Sequence, residues 1–252
     1  MKFDDFDTKM RKFEQSIEQT IPQDSYMVAR LDGRGFTKLT KERLDLKRPF
    51  DEKFRDSMIK TICHLMESDF DISYAYTESD ELSLLFKKNT NLFKKKVRKY
   101  NSLLAAEASV KFSQLMNTTA IFDCRIIPLP SIENVQDYFL WRMEDSHRNS
   151  IYAHCYYKLL ANGKSPQDAT NELSGKFLDE KENILSEYGV EINKIPKWEI
   201  YGCGIYFEEI EKVGFNPVKN INEITTRRKL CVNYELPQGD EYSKMISHFA
   251  RI

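Results

Sequence analysis

The sequence predicts an α+β fold with a βαββαβ core of the ferredoxin-like or polymerase-palm type, extended by a helical lobe and a β-ribbon. Three observations support this: the strand–helix order of the first half, an acidic turn between two apolar runs at 72–86, and the lack of a linker before the second half. We expect residues 1–130 to form a palm-like catalytic core with an N-terminal helix. Residues 131–252 are expected to form a helical and β-ribbon extension packed on the same domain.

The N-terminal helix and the first strand open that order. Apolar residues at helical spacing predict an amphipathic helix over 4–18, whose apolar face needs a partner in this chain or another. An apolar strand is expected at 26–32. The stretch 37–50 is charged and irregular, and a helix with one apolar face is expected from Asp51 to about Asp69.

An acidic hairpin at 72–86 follows, and two further elements complete the core. Residues 89–91 (Asn-Thr-Asn) offer a helix N-cap, and a long helix is expected from about Lys94 to Asn117. A strand is expected at 120–128. The predicted core stripe of the long helix is Val97, Leu104, Ala108, Phe112 and Leu115.

The second half is predicted to contain three helices and a β-ribbon. A long helix is expected over 132–161, and Ser165-Pro166 begins another with a cap residue and a proline at its first position. The remaining expected elements are a short helix at 178–188 and two strands at 198–209 and 227–233 that form a hairpin with a long loop. The residues from there to Ile252 are weakly patterned.

Composition excludes several classes of protein. The 252 residues carry 38 basic and 39 acidic side chains, so any surface for nucleic acid must be local. Five cysteines without paired spacing favour a reducing compartment, and no apolar run approaches membrane-spanning length. The sequence has no Walker loop, dinucleotide fingerprint or Gly-x-Ser-x-Gly elbow. We therefore expect a cytoplasmic globular protein that has no membrane partner.

The topology of the core predicts that two distant acidic residues meet at one edge of the sheet. A right-handed crossover makes the first two strands parallel, with the third strand antiparallel between them. Asp32, at the end of the first strand, would then lie beside Asp80 in the turn of the hairpin. Two carboxylates in a small volume repel unless a cation neutralises them, and hard oxygen ligands favour Mg²⁺. Glu81 and the carbonyl of Gly33 lie next to them in sequence.

Phosphoryl transfer is the chemistry expected at such an edge. Two ions about 3.5–4 Å apart would activate an attacking hydroxyl and stabilise a leaving oxygen. The amides of residues 34–36 could face phosphates. The alternative is structural, because Asp, Ser and Gly are common in turns, and spacing alone favours it.

A basic run lies just beyond the acidic hairpin in the sequence. It is either a solvated helix face, the usual meaning of such runs, or a phosphate clamp for a triphosphate or an RNA end. Lys95 and Lys99 are expected to share a helix face with Lys96 beside them, near the proposed metal site. Lys47 and Arg48 are weaker candidates for the same task.

The long helix of the second half carries further candidates, His147, Asn149 and Tyr152. A lone His on a helix is more often structural than catalytic. His147 and His154 share a face, but the neighbouring Cys155 completes no zinc spacing, so no zinc site is expected.

Five motifs of the sequence form a recognisable set. They are Leu-Asp-Gly-Arg-Gly-Phe at 31–36, Tyr-Thr-Glu-Ser-Asp-Glu-Leu-Ser at 76–83, Asn-Thr-Asn-Leu-Phe-Lys-Lys at 89–95, Asp-Ser-His-Arg-Asn-Ser-Ile-Tyr at 145–152 and Glu-Lys-Glu-Asn-Ile-Leu at 180–185. Together they resemble the motifs of the tRNA-His guanylyltransferase superfamily, occur in that family's order and cover residues 5–210 approximately.

The resemblance implies a polymerase-like palm that adds nucleotides to the 5′ end of tRNA, using Mg²⁺ and GTP, ATP or other nucleoside triphosphates. The 3′-hydroxyl of an incoming nucleotide would attack an activated 5′-phosphate of the RNA. Family members are typically homotetramers, which would give the first helix its missing partner. By this resemblance the metal ligands would be Asp32, Gly33 and Asp80, with Glu81 as a supporting catalytic acid. The nucleotide would be held by Asp32, Gly33, Arg34, Gly35, Phe36, Thr37, Lys47, Ser79 and Asp80, and triphosphate binding and 5′-end activation would use Lys95, Lys96, Lys99, His147, Asn149 and Lys181.

Two departures from the family pattern indicate a branch. Eukaryotic enzymes carry His-Ile-Asn-Asn-Leu-Tyr-Asn-Thr, whereas residues 147–154 here are His-Arg-Asn-Ser-Ile-Tyr-Ala-His. Lys96 stands where those enzymes have arginine, which keeps the charge but loses the bidentate fork. Both features resemble the guanylyltransferase-like, 3′–5′ RNA polymerase branch, which implies templated repair of 5′-truncated tRNA. The runner-up is non-templated guanylylation of tRNA-His, and a third possibility is a cyclase-like palm or an RNA-binding module without turnover.

Overall fold

The computed structural model of the chain describes residues 2–216 and 221–252. The helices are α1 Phe3–Gln15, α2 Phe36–Lys38, α3 Glu52–Glu67, α4 Val97–Met116, α5 Ile132–Ala161, α6 Pro166–Leu173, α7 Leu178–Glu187, α8 Lys197–Tyr201 and α9 Gly239–Ala250. The strands are β1 Tyr26–Gly33, β2 Ile72–Glu78, β3 Glu81–Phe86, β4 Phe122–Leu129, β5 Cys203–Asn216 and β6 Ile221–Asn233. The fold is therefore α+β, as predicted.

The strands form a sheet in the order β4-β1-β3-β2-β5-β6. β3 pairs antiparallel with both β1 and β2, so β1 and β2 run parallel with β3 between them. This arrangement confirms the predicted βαββαβ core. In its register Asp32 of β1 lies opposite Glu81 of β3 on one side and opposite Asp123 of β4 on the other.

Apolar side chains alternate between the two faces of the sheet, and each face is covered by helices. Leu31, Leu82 and Leu84 point to the face packed against α3 and α4. Val28 and Leu85 point to the opposite face, which packs against α5 and α9. α5 continues beyond the sheet, where its second half packs against α6 and α7 in a separate apolar cluster. The lobe and the sheet thus share one long helix.

Helix starts follow local capping chemistry in most places. Asp51 accepts a hydrogen bond from the backbone N–H of Phe54 at 2.9 Å and caps α3. Ser165 accepts from the N–H of Asp168 at 3.1 Å, with Pro166 at the first position of α6, as predicted.

The start of α4 differs from the prediction. The helix begins at Val97, and no side chain at 89–91 caps it. Phe93, Lys94 and Lys95 all have a positive φ of 52–54°, which interrupts helix propagation. The ring of Phe93 packs against Tyr100 with centroids 5.4 Å apart, so tertiary packing overrides the helix propensity of these residues.

The core stripe of α4 and several later elements also differ from the prediction. Val97 and Leu115 are only partly buried, and the fully packed positions include Tyr100 and Met116. Residues 198–201 belong to α8 instead of a strand. In the predicted long loop, residues 210–216 lie in β5 and residues 221–226 in β6, and residues 217–220 lie outside the described part of the chain. The weakly patterned C-terminal region contains the helix α9, whose apolar side covers the sheet.

The amphipathic helix α1 has no buried residue. Phe3 is 77% exposed and Phe13 is 64% exposed, so its apolar stripe has no cover within the described part of the chain. Across residues 2–216 and 221–252, none of the helices combines the length and apolarity needed to cross a membrane.

Candidate active site at the edge of the sheet

The end of β1 and the turn between β2 and β3 are joined by a backbone hydrogen bond. The N–H of Gly33 donates to the carbonyl of Asp80 at 3.1 Å. The structure therefore brings Asp32 and Asp80 to one edge of the sheet, as the topology predicts. Ser79, in the turn, has φ +46° and donates from Oγ to Oδ1 of Asp80 at 3.1 Å.

The electrostatics of this edge favour a bound cation. Burial raises the pKa of Asp80, and the charge of Asp32 raises that pKa further. A divalent ion bound beside Asp80 would stabilise its charged form. Within the described residues there is no cluster of three or more His, Cys, Asp or Glu side chains suited to a metal, so the candidate ligands are these two carboxylates and a nearby carbonyl.

Glu81 is bound by a residue that sequence reasoning did not single out. Arg142 of α5 donates from Nε to Glu81 Oε1 at 2.7 Å and from Nη2 to Glu81 Oε2 at 3.0 Å. Arg142 also contacts Glu78 at 3.0 Å and Asp145 at 3.1 Å. Burial, followed by the charge of Glu81, raises the pKa of Glu78 to about 8. The only sequence signal for this cluster was an arginine among apolar residues of a long helix.

The loop after Asp32 is shaped by close packing. A Cβ at Gly33 would lie 2.4 Å from Cγ of Phe36, so only glycine fits there. The ring of Phe36 is buried in the core, with its centroid 4.9 Å from that of Phe122. The amide of Arg34 donates to the carbonyl of Ile121 at 2.8 Å. The prediction that this amide faces a phosphate is therefore wrong. The amides of Phe36 and Thr37 lie in the first turn of α2.

A cavity of about 460 Å³ opens beside the turn, a size suited to a nucleotide. The candidates from the sequence that line it are Phe36, Thr37, Lys47, Arg48, Ser79, Asp80, Asn149 and Tyr152. Aromatic side chains that the sequence did not indicate include Phe50, Tyr156, Tyr157 and Trp198. The cavity thus joins carboxylates and a lysine to an aromatic wall, an arrangement that suits phosphates and a base.

The predicted phosphate clamp lies at the opposite edge of the sheet. Lys95 donates from Nζ to the carbonyl of Gln23 at 2.9 Å, in the segment that leads into β1. From Tyr26 to Asp32 β1 rises by roughly 20 Å. Within one chain, the expectation that these lysines lie near the proposed metal site is wrong.

The lysines of that run also differ from one another in environment. Lys95 precedes α4 and is buried, so it does not share a helix face with Lys99, contrary to the prediction. Lys96 is paired with Glu18, Nζ to Oε2 at 2.7 Å, and Lys99 is exposed in the first turn of α4. Lys95 is therefore a structural residue, because its ammonium group donates to the backbone of the segment before β1.

His147 and Lys181 lie where α5 packs against α7. Nε2 of His147 is 3.5 Å from Oε1 of Glu182, and its ring centroid is 5.2 Å from that of Tyr201. Lys181 donates from Nζ to the carbonyl of Lys176 at 2.7 Å. Neither residue lines the cavity, in contrast to Asn149.

Family models match nearly all of the chain. The model described as tRNAHis guanylyltransferase matches residues 7–130, and the model of the corresponding C-terminal domain matches 133–235. A probable tRNA(His) guanylyltransferase of Dictyostelium discoideum is 31% identical over 214 residues, which are 80% of this chain and 83% of that protein. The tRNA(His) guanylyltransferase of Candida glabrata is 31% identical over 211 residues, 77% of this chain and 86% of that protein.

Solved structures share the fold. A bacterial tRNA-His guanylyltransferase-like protein in complex with ATP superposes with a TM-score of 0.75 at 24% identity, covering 98% of this chain and 100% of that one. The tRNA-His guanylyltransferase of Saccharomyces cerevisiae gives a TM-score of 0.66 at 27% identity, covering 76% of this chain and 90% of that one.

Proposed function

The chain belongs to the tRNA-His guanylyltransferase family, a family of nucleotidyltransferases, and on that premise we propose that it adds nucleotides to the 5′ end of tRNA in the 3′-to-5′ direction. The single observation that carries the proposal is the meeting of Asp32 and Asp80 at one sheet edge, beside a cavity of nucleotide size. We further propose that the addition is templated and repairs truncated tRNA. Free cysteines throughout the described chain agree with a reducing, cytoplasmic location.

Mg²⁺ is the metal that these ligands fit. Asp32, Asp80 and the carbonyl of Gly33 would hold it, and the raised pKa of Asp80 marks a carboxylate that needs a neighbouring positive charge. When bound, a pair of such ions supplies charge stabilisation to the attacking and leaving oxygens. The carbonyl of Asp80 accepts the Gly33 N–H, and this bond keeps the two strands in register at the reacting edge.

The nucleoside triphosphate would occupy the cavity. Thr37 and Ser79 offer hydroxyl groups, and Lys47 an ammonium group, to phosphates near Asp80. The aromatic wall, which includes Trp198, offers faces on which a base could stack. In this pose the 3′-hydroxyl of the incoming nucleotide would attack the activated 5′-phosphate of the RNA and displace its activating group, pyrophosphate from a 5′-triphosphate or AMP from an ATP-activated end. The cavity would orient the attacking hydroxyl.

The remaining candidates concern the RNA end and the assembly of subunits. Lys96 and Lys99 lie at the start of α4, next to Lys95, which binds the segment before β1, so we propose that they serve the site of a neighbouring subunit in a tetramer. The exposed apolar stripe of α1 supports such an association. A Phe6→Glu/Phe13→Glu variant should sediment as a smaller species, whereas unchanged sedimentation would contradict assembly through α1.

His147 and Lys181 are proposed for 5′-end activation with Asn149. They lie on adjacent helices of the lobe, and Asn149 reaches the cavity directly. An RNA end bound along the lobe would therefore approach the nucleotide from the α5 side.

A second function is favoured by the relatives, whose names describe action on tRNA-His. Non-templated guanylylation would require the identity of tRNA-His, whereas templated repair requires only a nucleotide that pairs with the opposite strand. The departures at residues 147–154 support the templated reaction.

The deciding experiment incubates 5′-shortened, labelled tRNAs of several identities with Mg²⁺ and each nucleoside triphosphate. Templated repair predicts extension by whichever nucleotide completes the pair, on every tRNA tested. Extension of tRNA-His alone, by G alone, would establish the second function. No extension by protein that binds Mg²⁺ and nucleotide would refute both.

A further inference from the structure

The buried guanidinium group of Arg142 binds residues on both sides of the turn that carries Asp80. Arg142 donates to both carboxylate oxygens of Glu81 at 2.7 and 3.0 Å, and its Nη2 also donates to Oε1 of Glu78 at 3.0 Å. Glu78 ends β2 and Glu81 begins β3, so these carboxylates flank the turn of Ser79 and Asp80. We propose that Arg142 is a positioning residue that fixes this turn, and with it the Asp80 carboxylate, for the reaction of the proposed function.

The contacts of Arg142 use the shape of a guanidinium group as well as its charge. Its side chain is only 5% exposed, and those of Glu78 and Glu81 are 8% and 12% exposed. Nη1 lies 3.1 Å from Oδ2 of Asp145, so a third carboxylate, on the same helix as Arg142, binds the other side of the guanidinium group. A planar fork can satisfy three acceptors in fixed directions, which the single ammonium of lysine cannot do.

The turn needs these contacts with Arg142 because its own conformation is unfavourable. Ser79 has φ +46°, a left-handed conformation that is unfavourable for a non-glycine residue. The like charge of Asp32 also acts on Asp80. Both effects would drive the turn away from β1. Two anchors oppose them: the N–H of Gly33, which holds the Asp80 carbonyl, and Arg142, which holds the flanking carboxylates.

The positive charge of Arg142 is directed to the flanks of the turn and leaves its centre available. Its ion pairs are with Glu78, Glu81 and Asp145. Asp80 accepts one hydrogen bond, from Oγ of Ser79, and its carboxylate stays available for a divalent cation. Arg142 thus orders the turn without competing for the proposed cation.

The test is Arg142→Lys, which keeps the charge and removes the fork. The first readout is the Mg²⁺ concentration that gives half of the thermal stabilisation by Mg²⁺, measured without RNA. The second is the kcat and KM for the nucleoside triphosphate in tRNA extension. We expect the Mg²⁺ midpoint to rise and kcat to fall, each by about 10- to 100-fold, because residues that orient metal ligands have effects of this size. The KM should change by less than kcat, since Lys47 and the aromatic wall also bind the nucleotide and do not contact Arg142.

The control is Ile246→Ala, which removes apolar atoms from the core beside α9. Ile246 contacts neither the turn nor the nucleotide cavity. It loses thermal stability through packing alone, so its Mg²⁺ midpoint and kcat should equal those of the wild type. If Arg142→Lys behaves like this control, the positioning role is wrong and the cluster is only structural.

Two further outcomes are decisive. Should Arg142→Lys not fold, Glu78→Ala removes a single anchor, because alanine offers no acceptor to Nη2 of Arg142. The same readouts should then move by about 3- to 10-fold, and no movement overturns the proposal. If wild-type protein extends no RNA, the proposed function fails, and the Mg²⁺ midpoint still decides the role of Arg142. A wild type that Mg²⁺ does not stabilise at all would overturn both.

Discussion

Replacing Gly33 by alanine tests whether packing beneath β1 sets the position of the site. The added Cβ would lie 2.4 Å from Cγ of Phe36 and 2.6 Å from both Cδ atoms, so either the ring or the strand must move. The ring is only 2% exposed, and its centroid lies 5.4 Å from that of Phe112 and 4.9 Å from that of Phe122. Because the ring is confined, we expect the end of β1 to move, and Asp32 with it.

The magnitude follows from the cost of overpacking. A methyl group forced into a close-packed core costs about 1–3 kcal/mol. For a chain of this size each kcal/mol lowers the Tm by roughly 2–4 °C, so the expected loss is roughly 2–12 °C. A shift of about 1 Å at the reacting groups costs on the order of 100-fold in rate. The variant should therefore stay folded while losing most of its activity.

The assays are thermal unfolding and single-turnover extension of a 5′-shortened tRNA. Gly35→Ala is the matched control: no atom lies within 4 Å of its Cβ, and its cost is the backbone strain of φ +70°. Adding Phe36→Leu to Gly33→Ala should relieve the clash and recover part of the stability, because the two residues are in contact. Wild-type Tm and rate in Gly33→Ala, or no recovery in the double variant, would refute this account of the packing.

Three other predictions concern single side chains. Burial and the neighbouring acidic charge raise the folded-state pKa of Glu78 from 4.5 to about 8, so the folded state binds a proton that the unfolded state releases. Stability should therefore fall as pH rises between these values, and Glu78→Gln should flatten that fall in urea unfolding at pH 5 and pH 8 with EDTA present; an unchanged slope would be contrary evidence. Lys47→Met should raise the KM for the nucleoside triphosphate by about 10-fold with the Tm unchanged, since an exposed charge on the cavity wall is lost. Steady-state kinetics measure this KM, and an unchanged KM would contradict the prediction. Lys95→Ala should cost about 1–3 kcal/mol in urea unfolding, because the buried lysine loses its charged hydrogen bond to the carbonyl of Gln23. Lys99→Ala should stay within about 0.5 kcal/mol, and equal losses would contradict the structural assignment of Lys95.

The architecture was predictable because its signals are periodic and local. Apolar alternation in β1 and β3, together with the handedness of the crossover, was sufficient to place Asp32 next to the turn at Asp80. Cap residues such as Ser165 also act within one turn of helix, so the sequence determines them directly. The amphipathic character of α1 followed from the same periodicity, whereas the sequence left open whether this chain or another covers its apolar face.

The unpredicted features arise from contacts between residues that are distant in sequence. Arg142 meets Glu78 and Glu81 only because α5 crosses the end of the hairpin, a relation that no local pattern contains. Lys95 lost its expected helix because three successive left-handed residues are held by packing around Phe93. Clustering of lysines in the sequence suggested a common task, yet the fold separates them from the reacting edge.

The family resemblance also brought together residues that the fold keeps apart in one chain. Thr37, Lys47 and Asn149 line the cavity, whereas His147 and Lys181 do not. The division at residues 130 and 131 stays a prediction, because α5 packs on both the sheet and the lobe.

The most direct measurement is a crystal structure of the protein with Mn²⁺ and a nucleoside triphosphate, using anomalous scattering to locate the ion. The account predicts a peak whose ligands include oxygen atoms from both Asp32 and Asp80, and loss of that peak in Asp80→Asn. Ions bound elsewhere, or bound to one of these residues without the other, would contradict it.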